Sequence, residues 1–213
     1  MSEAKPPPSV PPPARERLLE AAVRLIRVKG FSATTVEELC AAAGVSKGAF
    51  FHHFQDKDAL GVAAADHWSL TTGAFFAAAP YHAPADPLER VLAYLDFRRA
   101  LITGEVAEFT CLVGTMLQDV HETSPAIREA CEASLTGHAA TLEADIGAAM
   151  AQHGVGGDWT ASSLALHTQA VLQGAFVLAK ARGGPQAAIE SVDHLRRYVE
   201  LLFRHPTADS PHP

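Results

Sequence analysis

Cysteine is scarce in this chain. Its 213 residues include three, Cys40, Cys111 and Cys131, too few and too scattered for a disulfide framework or a zinc site. That usage suits a reducing cytosol. Long apolar runs are missing too. The composition is 48% apolar and 19% charged, and no run of about 18 uncharged apolar residues occurs, so no membrane-spanning helix is expected. The first fourteen residues carry six prolines and no apolar stretch, so an ordinary secretory leader is not expected. Sustained alternation of apolar and polar residues is absent, so strands are not expected. Catalytic signatures are equally thin: there is no GxGxxG, P-loop, HExxH or GxSxG. The glycine cluster Gly154-Val155-Gly156-Gly157 falls between helical segments rather than after a strand. No enzymatic activity, cofactor or metal site is expected.

What the chain has is alanine, forty of them, the residue that loses least on entering a helix. The net charge of −7 argues at first against a nucleic-acid partner. Its distribution changes that. Residues 1–58 hold eight Lys/Arg and seven Asp/Glu, a balance of +1, and residues 59–213 hold nine and seventeen, a balance of −8. Screening confines surface fields to about 8–10 Å, so an acidic body does not prevent local phosphate binding at the amino-terminal end.

From Arg15 the pattern becomes helical. Leu18, Ala22, Leu25 and Ile26 share one face, and Lys29-Gly30 ends the segment with glycine placed as a left-handed cap. Thr34 and Thr35 offer an N-cap for a second helix with Glu37 and Glu38 in its first turn; Val36, Leu39, Cys40 and Ala43 form its inner face. Gly44-Val45 makes a sharp turn. Ser46 then caps a short third helix running to about Phe54, anchored by Phe50 and Phe54 one turn apart. Two short helices joined by a glycine turn are a helix-turn-helix signal. A longer helix is expected over 58–78, with Leu60, Ala64, Trp68, Thr71 and Phe75 on one side. Five more follow at 87–103, 107–121, 125–153, 159–182 and 186–203, about nine in all. Pro125 and Pro185 stand near helix starts, where a missing N–H costs nothing.

The stretch Thr35 to Leu60, TVEELCAAAGVSKGAFFHHFQDKDAL, closely resembles the DNA-binding segment of TetR-family transcriptional regulators. The Ala-Gly-Val-Ser-Lys-Gly, His-Phe and Lys spacing is specific to it. The resemblance implies an all-α protein: residues 1–14 a proline-rich tail, 15–57 a three-helix DNA-binding head, 58–204 a helical effector-binding and dimerisation domain, and 205–213 a second tail. It also implies which residues lie along a DNA duplex: Thr34, Thr35, Ser46, Lys47, Gly48, Ala49, Phe51, His52, His53 and Lys57. Small and polar side chains at the start of a reading helix let its backbone enter a major groove about 12 Å wide. Lys47 can donate to guanine O6 and N7, and Ala49 and Phe51 can touch a thymine methyl. Many relatives have tyrosine where this chain has Phe51, so a phosphate-donating hydroxyl is missing. The chain contains no asparagine and the third helix no glutamine, which removes bidentate adenine readout there.

By the same resemblance the regulator is a homodimer joined through its last two long helices, reads a palindromic operator in double-stranded DNA, and is released by a small-molecule effector. The apolar stripes fit: His167, Ala170, Val171, Gly174, Val177 and Leu178 on one helix, Ile189, Val192, Leu195, Val199 and Leu202 on the next. Candidate effector-binding residues are Trp68, Phe75, Phe97, Cys111, Met116, His121, His167 and Phe176, with His67 a further polar candidate. Cys111 lies close to a helix start, with Lys180 available as a cation. In the subgroup it resembles, the matching cysteine senses electrophiles or oxidants. Two alternatives stand beside the effector-released repressor: a thiol-sensing repressor using Cys111, and a helical protein-interaction adaptor that does not bind DNA.

Overall fold

The computed structural model describes residues 12–204; the expected terminal tails lie almost entirely outside that range. Among the described residues every regular element is helical. Ten α-helices and one 3₁₀ turn follow in order: α1 (Ala14–Lys29), α2 (Val36–Ala43), α3 (Lys47–His53), α4 (Lys57–Ala77), the 3₁₀ turn Pro80–His82, α5 (Pro87–Ala100), α6 (Val106–Phe109), α7 (Leu112–Val120), α8 (Pro125–His153), α9 (Ala161–Arg182) and α10 (Gln186–Arg204).

Local chemistry sets most of these boundaries. Thr35 caps α2 through a reciprocal box with Glu38, Ser46 accepts from the Ala49 N–H at the start of α3, and Asp56 accepts from Ala59 at the start of α4. Thr160 and Ser163 form the same kind of box on α9. Gly44 ends α2 at φ +61°, a left-handed conformation that costs an L side chain energy. Gly30 ends α1 differently from expectation, at φ +90° and ψ 164°, outside the left-handed helical region. The segment 107–121, read from sequence as one helix, is two. Thr110 and Cys111 are extended, which ends α6 and makes Cys111 the residue flanking α7.

The 29-residue α8 is the spine, packing against α4, α5, α7 and α9, while α10 lies across α9 and α5. The core of the head does not stop at the head: Leu18, Ile26, Leu39, Phe50 and Leu60 share one buried cluster with Leu112 and Met116 of α7 and Ile127 and Cys131 of α8. Gly61 makes this junction possible. A Cβ there would lie 2.7 Å from Ile127 Cδ1 and 2.8 Å from Phe31 Cε2, so a larger residue would force those buried side chains aside. On α4, Thr71 and Phe75 are exposed and Phe76 is buried in their stead. Phe76 fits against Tyr81, Tyr94 and His138, a ring cluster closed by elements far away in sequence.

Candidate nucleic-acid interface and effector cavity

The short α3 is held by one side and bare on the other. Phe50 is fully buried and Phe54 5% exposed, with their rings 5.7 Å apart. Ser46, Lys47, Gly48, Phe51 and His52 are exposed, and Ala49 and His53 half-buried. Phe51 is 51% exposed, its edge against Phe50. Lys47 donates to Glu37 at 2.6 Å and Lys29 to Glu38 at 2.6 Å, so both cations near this face are balanced by carboxylates of α2. Donation from Lys29, then the Thr35 N–H and hydroxyl, holds the Glu38 carboxyl down at about 2. The pairs are exposed, and Lys47 can exchange Glu37 for another acceptor at little cost.

Two expected DNA-contact residues are differently engaged. Thr34 is 1% exposed, and its hydroxyl donates to the Gly30 carbonyl at 2.7 Å. A threonine turned inward in this way secures the α1–α2 loop and offers no side chain to DNA. Its neighbour Thr35 is exposed and caps α2. Lys57 reaches back to the same loop, donating to the carbonyls of Phe31, Ser32 and Thr34 at 3.1, 3.4 and 3.2 Å, with its ammonium 4.5 Å from the Phe31 ring centre. It clamps the loop from the start of α4.

A second tie to this loop comes from α7. Asp119 accepts from the Ser32 N–H at 2.7 Å and from the Ser32 hydroxyl at 2.8 Å. Asp58 of α4 accepts from Ser124 at 2.8 Å. Nothing local in the sequence marks Asp119: its partner is 87 residues away.

A cavity of about 530 Å³ opens among α1, α4–α9, within the ordinary size of small-molecule sites. Of the residues proposed from sequence, Trp68, Phe75, Cys111 and Phe176 line it. The others do not. Met116 is fully buried in the cluster shared with the head, and Phe97 packs behind the wall against Phe75 and Phe76. His121 is exposed at the end of α7, with its Nδ1 on the Leu117 carbonyl. His167 is exposed on α9 beside Tyr198, and His67 lines a separate shallow cleft. Helical spacing alone does not say which side of an all-round apolar helix meets the cavity.

The sequence reading missed the polar part of the lining: Arg27, Arg98, Glu108, His138, Gln169 and Gln173. Arg27 lies over Trp68 and Arg98 over Phe76. His138 pairs with the Tyr94 hydroxyl at 2.9 Å, and burial, then Arg98, pulls its imidazole down to about 4. It is neutral at pH 7. Cys111 sits half-buried in the wall. Cys131 is fully buried, and burial pushes its thiol up to about 12. Among the described residues no three His, Cys, Asp or Glu side chains cluster to hold a metal, and no helix is long and apolar enough to cross a membrane.

Comparison with known proteins decides the family. Residues 18–64 match the model for bacterial regulatory proteins of the tetR family, and residues 87–195, about half the chain, match the tetracyclin repressor-like C-terminal domain. The chain belongs to the TetR family. The chain is 43% identical over 54 residues to the HTH-type transcriptional regulator YerO of Bacillus subtilis, covering 25% of this chain and 19% of that one. The fold matches the crystal structure of reduced NemR from E. coli at TM-score 0.76 and 23% identity, covering 92% of this chain and 100% of that one. It also matches CifR, a TetR-family regulator whose cysteine mutant was crystallised with double-stranded operator DNA, at TM-score 0.69 and 22% identity, over 91% and 98% of the two chains. In sequence, the chain spans less than two thirds of the length of the curated relatives it matches.

Proposed function

We propose that this TetR-family regulator is a repressor that binds a palindromic operator as a homodimer and releases it when a small molecule fills the cavity. The observation that carries the DNA-binding half is α3: its outer side is small, polar and exposed, while Phe50 and Phe54 fasten the inner side. Thr35, Ser46, Lys47, Gly48, Ala49, Phe51, His52 and His53 are the contact residues under this reading, and Thr34 and Lys57 support them from behind.

Exposed apolar side chains favour a dimer through α9 and α10. Leu166, Val177 and Leu178 on α9 and Tyr198 and Leu201 on α10 are 42–52% exposed. The α10 stripe expected at this interface is instead internal: Val192, Leu195 and Val199 are buried against the subunit's own helices. Pairing of the outer residues would place two α3 helices on one duplex, about 34–36 Å apart for adjacent turns of one groove.

Two helices connect the cavity to the head. α4 carries Trp68 and Thr72 in the cavity wall and Lys57 at the α1–α2 loop; α7 begins beside Cys111 in the wall and ends with Asp119 on Ser32. A ligand that favours one arrangement of α4 and α7 would change the tilt of the head, with a coupling of about 1–3 kcal/mol. The test is fluorescence anisotropy of the full chain on duplex DNA flanking its own gene. Salt-dependent binding that is lost in Leu178→Glu, together with a shift to monomer, supports the proposal. Unchanged binding by the monomeric variant, or no binding to that DNA, overturns it.

The surroundings of Cys111 favour a thiol-sensing variant of the same mechanism. It adjoins the start of α7 and is half-buried in the cavity wall, whereas Cys131 is fully buried. The Cys111 sulfur would add to an activated carbon–carbon double bond of the incoming compound: the C–S bond forms as the π bond breaks, and the thiol proton ends on the α-carbon by way of solvent. Iodoacetamide, followed by peptide mass spectrometry, should label Cys111 well before Cys131. Equal labelling rates would refute the assignment.

A further inference from the structure

The cavity has an unbalanced charge. Its lining holds two guanidinium groups, Arg27 and Arg98, against one carboxylate, Glu108, and the neutral His138 adds nothing. Glu108 lies near Arg27, but its carboxylate accepts from the Glu105 N–H. Among the described residues neither arginine makes an ion pair or a hydrogen bond, and the Arg27 Nε is buried without an acceptor. The other arginines of α5 are matched, Arg90 with Asp145 at 2.8 Å and Arg99 with Asp193 at 2.7 Å. Arg98 lies 5.1 Å from the Phe76 ring centre and 5.9 Å from that of Phe176. Cation–π contact with the two rings stabilises the guanidinium, yet gives its N–H donors no acceptor within the protein.

Another donor is unmet nearby. Gln169, 7% exposed and in the same wall, has an amide nitrogen with no acceptor. Around these donors the lining is flat and apolar, formed by Trp68, Phe75, Phe76 and Phe176. Room has been left as well. Gly73 and Gly137 stand inside α4 and α8 on the cavity wall, and a Cβ at either would meet no atom within 4 Å. A glycine inside a helix is destabilising relative to alanine, and at these two positions it keeps the wall open.

We infer that the effector is a ring-bearing monocarboxylate, with its carboxylate on the Arg98 guanidinium and its ring among the aromatic side chains of α4 and α9. Two guanidinium groups against one carboxylate leave a net positive charge that one negative charge balances, and the planar fork of arginine pairs a carboxylate through two parallel hydrogen bonds. The unmet amide of Gln169 supplies a further donor. This assignment rests on the cavity being the effector site, and it names the chemical class that site takes.

The experiment is calorimetric titration of the full chain with 2-naphthoate and with 2-naphthamide, the neutral analogue of the same shape. The acid should bind at least about tenfold more tightly than the amide. Arg98→Met should remove that preference while still binding the amide, which certifies that its cavity is folded. Gly137→Leu, which fills the space, should weaken both ligands. Equal affinity for acid and amide, an undiminished acid preference in R98M, or binding of neither compound would overturn the assignment. The same two compounds are then added to the protein on DNA flanking its own gene. Release by the acid alone supports the ligand class and the effector site together. If the acid binds as expected but leaves the DNA complex intact, the carboxylate site stands and the effector reading fails. If the amide releases DNA as well as the acid does, the effector reading stands and the carboxylate assignment fails.

Discussion

Lys57 separates two accounts of the same motif. Resemblance places it along the DNA backbone; its geometry makes it a clamp on the α1–α2 loop. Replacing Lys57 with methionine keeps most of the stem and removes the ammonium. The Phe31, Ser32 and Thr34 carbonyls lose their common donor, and the contact over the Phe31 ring is lost with it. A hydrogen bond to a charged group is worth about 1.5–3 kcal/mol. Here one ammonium serves three acceptors at 3.1–3.4 Å on a half-buried site, and water can replace part of what is lost. A total of about 2 kcal/mol follows. For a chain of this size each kcal/mol moves Tm by about 2–4 °C, so K57M should melt about 4–8 °C lower by circular dichroism. Its affinity for DNA should fall at a fixed salt dependence, because the head is loosened while no phosphate contact is removed. An unchanged Tm, with the slope of log K against log salt reduced by about 1, would refute the clamp and restore the phosphate contact.

Asp119→Ala should leave ligand binding in the cavity intact and weaken ligand-induced release of DNA, because α7 no longer grips Ser32; anisotropy with and without effector measures this, and normal release would remove α7 from the coupling. His138 gives a pH dependence. Its folded value of about 4 lies below the ordinary 6.5, so between these values the unfolded chain takes up the proton first. Stability therefore falls as pH drops from about 6.5 to 4, by at most about 3 kcal/mol, and the loss levels off below that window. His138→Gln should abolish this share of the decline in Tm. A parallel pH profile in the variant would contradict it.

The sequence was most legible where causes are local. Ser46 and Thr35 cap their helices because their hydroxyls reach N–H groups three residues on, and Phe50 and Phe54 meet because they are one turn apart. Thr34 and Thr35 are equal as letters, and only the position of the Gly30 carbonyl turns one inward. Lys57 and Asp119 were opaque for a related reason: their partners are brought in by tertiary packing 23–26 and 87 residues away. On α10 the apolar stripe was correctly visible, but its destination was not. Amphipathicity says that Val192, Leu195 and Val199 are covered, and says nothing of whether the cover belongs to the same subunit. Arg98 carries no local sign at all, since Arg99 beside it has the same chemistry and a partner on α10. The break at Thr110 and Cys111 was hidden by residues compatible with a continuous helix.

The account stands on the outward side of α3, and Ala49→Glu addresses it most directly. The substitution puts a negative charge on the half-buried reading face while Phe50 and Phe54 continue to anchor the helix. Measured by anisotropy on the flanking duplex, the variant should lose at least about tenfold in affinity, with its melting temperature and dimerisation unaltered. Wild-type affinity in a folded A49E dimer would mean that DNA, if bound, is read by another surface.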